Sequence, residues 1–130
     1  MNAYPLAAAV TLLVLLLLVA TGINVGRARG RYGIKAPATT GHDMFDRAFR
    51  IQMNTLENTV VTLPAFWLCA IYASERGAAL VGLVWLVSRV WYALAYQNDP
   101  PKRHNAFGLS FLAFAVLWLG AAWGVIRGLA

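Results

Sequence analysis

Long apolar runs alternate along the chain with short polar connectors. The runs cover about Ala3 to Val25, Phe45 to Ala73, Ala78 to Gln97 and Asn105 to Ile126. Each reaches the ~20 helical residues needed to cross a hydrocarbon core. Backbone groups in lipid must be paired within their own segment, so the pattern predicts an all-α integral membrane protein, a bundle of four transmembrane helices. The first run has no basic leader, and no clean A-x-A site follows it. It also outlasts the ~7–15 apolar residues of a secretory signal, so it is read as a retained span.

The second run departs from a plain apolar pattern. It opens with RAFRIQMNTLEN (residues 47–58) before the apolar TVVTLPAFWLCAIYA. At about 100° per residue, Arg47, Arg50, Asn54, Glu57 and Asn58 fall in a sector of about 100°, with Phe49, Leu56 and Val60 off it. An ionisable group in lipid costs at least ~2.5–3.5 kcal/mol, so this stripe must face another helix or a wet cavity. The third run repeats the device. Arg89, Tyr92 and Tyr96 are spaced i, i+3, i+7, and Arg103 follows just beyond the helix end. Glu57 is the expected acceptor for Arg89. One cavity lined by Arg50, Asn54, Glu57, Tyr92, Tyr96 and Arg103 would satisfy these groups. Several arginines with one carboxylate suit a small zwitterion carrying excess negative charge: its carboxylates take arginine forks and its ammonium takes Glu57. The residues alone leave alternatives open: a structural polar network between helices, tyrosines of the membrane-interface belt, and Lys102 and Arg103 as flanking charges.

Composition and charge narrow the class. The 130 residues are 60% hydrophobic and 12% charged, too apolar for an ordinary soluble domain. The net charge of +6 would point to nucleic acid in a soluble protein. Here it reflects basic membrane-flanking loops, and no nucleic-acid partner is expected. Arg27, Arg29, Arg31, Lys35 and Arg47 crowd the first loop, and Lys102 and Arg103 the third. The positive-inside bias therefore places loops one and three in the cytoplasm and both termini opposite. The alanine-rich, short-looped chain points to a bacterial inner membrane. Asp43 is the expected cap of the second helix, and Pro100 and Pro101 end the third. The lone Cys69 excludes an intrachain disulfide. His42 and His104 lack further ligands at useful spacing, so no metal site is assigned. The Gly22-x-x-x-Gly26 and Gly120-x-x-x-Gly124-x-x-x-Gly128 spacings allow close helix approach, within a subunit or between subunits.

At the polar stripes the chain resembles the MAPEG family, the membrane-associated proteins in eicosanoid and glutathione metabolism. Arg50, Asn54 and Glu57 meet its R-x-x-x-N-x-x-E pattern, PATTGHDMFDR resembles its loop into the second helix, and RVWYALAYQNDPPKR its R-x-x-Y-x-x-x-Y followed by a basic residue. The resemblance covers about Arg27 to Phe107. It implies one domain over residues 1–130, a homotrimer, and glutathione as cosubstrate bound between neighbouring subunits. It implies glutathione contacts from Arg29, Arg50, Gln52, Asn54, Glu57, Arg89, Tyr92 and Tyr96, with Arg103 stabilising the thiolate. The implied activity is glutathione transfer to a hydrophobic electrophile, or reduction of a lipid hydroperoxide. Asn58 stands where leukotriene-C synthase has a tyrosine, and Gly30 where it has a second arginine; both departures bear on the second substrate. A non-enzymatic scaffold or carrier that keeps the fold is the other reading.

Overall fold

The computed structural model describes residues 3–130; the first two residues of the expected domain lie outside the described residues. Helix α1 runs Pro5–Tyr32, α2 Asp43–Tyr72, α3 Glu75–Asn98 and α4 His104–Leu129, with a 3-10 turn at Pro100–Arg103 before α4. There is no strand among the described residues. The four expected helices are all present, and α1 is the one whose extent differs most. It continues seven residues past Val25, so Arg27, Arg29 and Arg31 stand on a helix rather than in a loop. The stop is Gly33, whose left-handed φ of 68° suits a residue without Cβ. Ile34 N–H closes the cap on Arg29 O at 3.0 Å, and the arginines of the last turn complement the helix dipole.

The cap of α2 also differs from expectation. His42, not Asp43, is the N-cap: its Nδ1 accepts the Met44 N–H at 3.1 Å. Asp43 is already helical and pairs with Arg47 at 2.8 Å. Asp46 accepts from Thr40 Oγ1 at 2.9 Å and Gly41 N–H at 3.1 Å, tying the incoming loop to the first turn. At the other end α2 and α3 are joined by Ala73 and Ser74 alone, and Ser74 Oγ caps α3 through Gly77 N–H at 3.1 Å. Glu75 then reaches across the bundle. Its Oε1 accepts Leu6 N–H at 2.8 Å and Ala7 N–H at 3.2 Å, satisfying donors that the start of α1 leaves orphaned.

The core is built from small residues. Ala7, Val10 and Val14 of α1 meet Ala65, Phe66 and Ala70 of α2, Ala78 and Trp85 of α3, and Ala113, Leu117 and Ala121 of α4. Glycines let α4 close on α2. A methyl at Gly120 would lie 2.9 Å from Cys69 Sγ, and one at Gly124 2.5 Å from Tyr72 O. This small-residue spacing therefore serves packing within the chain, whereas Gly26 has nothing within 4 Å. One polar tie crosses the apolar layer, from Trp67 Nε1 to Thr11 Oγ1 at 3.0 Å. Many other large apolar side chains face outward: Leu12, Leu16, Leu119 and Trp123 are all exposed, as lipid contact demands.

Three helical stretches, Pro5–Tyr32, Glu75–Asn98 and Pro100–Leu129, are long and apolar enough to cross a membrane by composition. Helix α2 is not among them, although its 30 residues suffice in length. Its polar stripe lowers its hydropathy; α2 packs against α1, α3 and α4, while Arg50 and Glu57 of the stripe stay exposed. Up-and-down order gathers the end of α1, the start of α2, the end of α3 and the start of α4 at one face. That face carries Arg27, Arg29, Arg31, Lys35, Arg47, Arg50, Lys102 and Arg103, eight of the eleven basic residues.

Candidate functional site

Helix periodicity puts Arg50, Asn54 and Glu57 on one face of α2, and Tyr92 and Tyr96 on the facing side of α3. The 3-10 turn then brings Arg103 over the same space. These six residues and Met53 line one open hollow of about 310 Å³ near the basic face, in the size range of small-ligand sites. Tyr92 is buried, with its ring centroid 5.7 Å from that of Tyr96. Arg103 is held at two points. Its Nη1 donates to Pro100 O at 2.9 Å, and its guanidinium carbon stands 5.0 Å from the Tyr96 ring centroid. The turn therefore does more than end α3: it aims the arginine.

Arg89 lies behind the hollow rather than on its wall. It is fully buried at 0% exposure. The expected pairing with Glu57 is not formed: among the described residues the ion pairs are Arg47–Asp43 and Lys102–Asp99. Arg89 instead donates from Nη2 to Asn54 Oδ1 at 2.7 Å and Thr55 Oγ1 at 2.9 Å, and from Nη1 to Ser110 Oγ at 3.4 Å. Its guanidinium carbon lies 4.1 Å from the Tyr92 ring centroid. The reason is axial register. Asn54 and Thr55 sit level with Arg89, whereas Glu57 lies two to three residues, or about 3–4.5 Å, further along α2. A buried charge without a counter-ion needs such neutral acceptors and a ring face. Because Arg89 occupies Asn54 Oδ1, Asn54 is left to offer its amide N–H groups to a ligand. Arg89 thereby also links α2, α3 and α4.

Arg50 and Glu57 are exposed to the hollow, and neither has an ion-pair partner among the described residues. Counting Arg50 and Arg103 against Glu57, the lining carries one net positive charge. Arg47 leaves the stripe. It turns to the end of α3, donating to Gln97 O at 3.0 Å and Asn98 O at 3.2 Å. Asn58 donates back to Asn54 O at 2.9 Å. Two expected contacts lie elsewhere in the chain. Arg29 donates to Ala38 O at 2.7 Å and rests 4.9 Å from the Phe45 ring centroid. Gln52 faces α1, with Nε2 3.2 Å from where a methyl on Gly22 would sit.

A second hollow of about 280 Å³ shares Asn54, Tyr92 and Arg103 with the first and adds His104 and Phe107. Arg103 thus stands where a polar chamber meets one with an aromatic wall. Sequence reasoning missed Met53, His104 and Phe107. The signal for Phe107 was present, one helical turn after Arg103. Among the described residues no cluster of three or more metal-type ligands occurs.

Fold and geometry together define a small helical membrane protein with a basic hollow at one bundle end. A family model described as "MAPEG family" matches residues 6–123. The chain belongs to the MAPEG family. It is 43% identical over 119 residues to an uncharacterized protein of Synechocystis, covering 92% of this chain and 87% of that one. It is 34% identical to human microsomal glutathione S-transferase 2, covering 79% and 70%. It is 35% identical to bovine leukotriene C4 synthase, covering 93% and 81%.

Proposed function

We propose that this chain is a glutathione-dependent membrane transferase. The observation that carries the reading is the convergence of Arg50, Asn54, Glu57, Tyr92, Tyr96 and Arg103 on one hollow with excess positive charge. Glutathione brings two carboxylates, one ammonium and a thiol. Arg50 meets a carboxylate, Glu57 the ammonium, and the Asn54 amide and tyrosine hydroxyls the peptide groups. The thiol then lies toward Arg103, at the junction with the Phe107-lined hollow. A thiol of ordinary pKa ~8.5 is mostly protonated at neutral pH, and an adjacent cation stabilises its thiolate. The thiolate attacks the electrophilic carbon of an apolar substrate arriving from the lipid. The new S–C bond forms as the leaving group departs with its bonding pair, and no protein nucleophile is required. A second use of the site is attack of the same thiolate on the terminal peroxide oxygen of a lipid hydroperoxide: the O–O bond breaks, the lipid alcohol leaves after protonation, and a second glutathione converts the resulting sulfenic acid to glutathione disulfide and water.

The names of the transferase and synthase relatives support this reading, as does family membership. A homotrimer accounts for Arg29 and Gln52, which are remote from the hollow within one subunit and would complete it from a neighbour. Loops one and three face the cytoplasm, which supplies glutathione, in a bacterial inner membrane. The test pairs binding with chemistry. Glutathione should raise the melting temperature of the detergent-solubilised protein, by about 2.7 kcal/mol of stabilisation at 100 times Kd. The protein should also conjugate glutathione to an aromatic halide. Absence of both effects in well-assembled protein would reject the assignment.

A further inference from the structure

A separate basic hollow of about 300 Å³ lies where the end of α1 meets the start of α2 and the end of α3. Arg27 and Arg31, one helical turn apart on α1, stand on its wall with Asn24, and Gln97 of α3 also lines it. Neither arginine has a carboxylate partner among the described residues. Gln97 Nε2 is directed to Met44 O at 3.4 Å, and its Oε1 is buried without a donor. The hollow therefore offers two cations that no carboxylate neutralises, Arg31 with its guanidinium carbon 5.6 Å from the Tyr32 ring centroid.

It continues into an apolar groove of about 280 Å³. The two share Asn24 and Gln97, and the groove is lined by Leu17, Ala20, Ile51, Ala93 and Leu94. From Leu17 to Arg31 the helix rises about 21 Å at ~1.5 Å per residue. One leaflet contributes about half of a ~30 Å hydrocarbon core, or ~15 Å. The arginines thus sit at headgroup depth when the groove lies along the acyl chains of one leaflet.

We infer that Arg27, Arg31, Gln97 and the α1–α3 groove form a binding site for an anionic phospholipid, its phosphate on the arginines and an acyl chain in the groove. Basic hollows between membrane helices on the positive side recognise acidic headgroups in this way. Free phosphate would satisfy the arginines but leave the groove unfilled. The site is separate from the glutathione hollow and stands without it.

The experiment is native mass spectrometry of the detergent-solubilised full chain, titrated with phosphatidylglycerol or phosphatidylcholine of matched acyl chains. The wild type should retain phosphatidylglycerol about thirtyfold better. Arg27→Ala/Arg31→Ala should erase that preference, and Arg27→Lys/Arg31→Lys should keep most of it. Ala20→Trp, which fills the groove, should weaken phosphatidylglycerol retention. Unaltered melting temperature serves as the folding control. Equal retention of the two lipids, or a preference that survives the double alanine variant, overturns the proposal. So does full displacement by millimolar inorganic phosphate with no effect of Ala20→Trp, which would mark a free-anion site. A change in oligomeric state on removing the arginines, with lipid retention unchanged, would identify an interface between copies instead and equally reject it.

Discussion

Removing the Arg103 guanidinium tests the proposed chemistry most sharply. The side chain is anchored by Pro100 O and the Tyr96 ring and is partly exposed. A thiolate about 5 Å from it, at an effective dielectric of ~20, gains about 3 kcal/mol. Solvent screening of a partly exposed cation reduces this to about 1.5 kcal/mol, equivalent to about one pKa unit. Arg103→Ala should therefore raise the bound thiol's pKa by about one unit. The sign follows: a depressed thiol pKa gives more thiolate below that pKa and no advantage once both proteins are fully ionised. Near neutrality the thiolate fraction falls about tenfold. The more basic thiolate is intrinsically about threefold more nucleophilic, so the conjugation rate falls only about threefold. Well above the thiol pKa the variant becomes the faster enzyme, and the two pH–rate curves cross. The assay follows thiolate absorbance in the far ultraviolet and turnover of an aromatic halide, both against pH at saturating glutathione. Arg103→Lys should recover part of the shift, since it supplies the charge without the fork. Superimposable thiolate titrations, or a rate lowered equally at every pH, would refute a thiolate-stabilising role and leave Arg103 a flanking charge.

Arg50→Ala and Glu57→Ala should each weaken glutathione binding by about 1.5–3 kcal/mol, the range for a hydrogen bond to a charged group; calorimetry showing wild-type affinity in either well-assembled variant removes that residue from the site. Arg89→Leu deprives the neutral acceptors Asn54 Oδ1 and Thr55 Oγ1 of the guanidinium donor and should cost about 1–3 kcal/mol, read as a fall in melting temperature; a wild-type transition contradicts the interhelical role drawn here. Gly124→Ala forces a methyl against the Tyr72 backbone and should destabilise by about 1–3 kcal/mol, whereas Gly26→Ala, with open space around it, should not; equal transitions in thermal unfolding would show that α4 does not close on α2 as described. Cross-linking in detergent should end at a trimer, and a ladder that stops at the dimer counts against sharing of the site between subunits.

The helical architecture and the faces of each helix were legible in the order of residues, because periodicity is local. A 3.6-residue repeat fixes which side chains share a side of α2 or α3 whatever packs against them. The convergence of Arg50, Asn54, Glu57, Tyr92, Tyr96 and Arg103 follows from that repeat and the up-and-down order of long helices. What periodicity cannot supply is the rotation and axial register between helices. Those are set by small residues such as Gly120, Gly124, Ala70 and Ala78, which decide how closely and at what height neighbours meet. Register assigns Arg89 to Asn54 and Thr55 instead of Glu57, and rotation carries Arg47 to the end of α3. Extent was hidden for a related reason: hydropathy fades at Val25, but the backbone stays helical until Gly33 allows the left-handed turn. That added length lifts Arg27 and Arg31 onto a rigid helix above the α1–α3 groove, a juxtaposition that only the packed bundle creates.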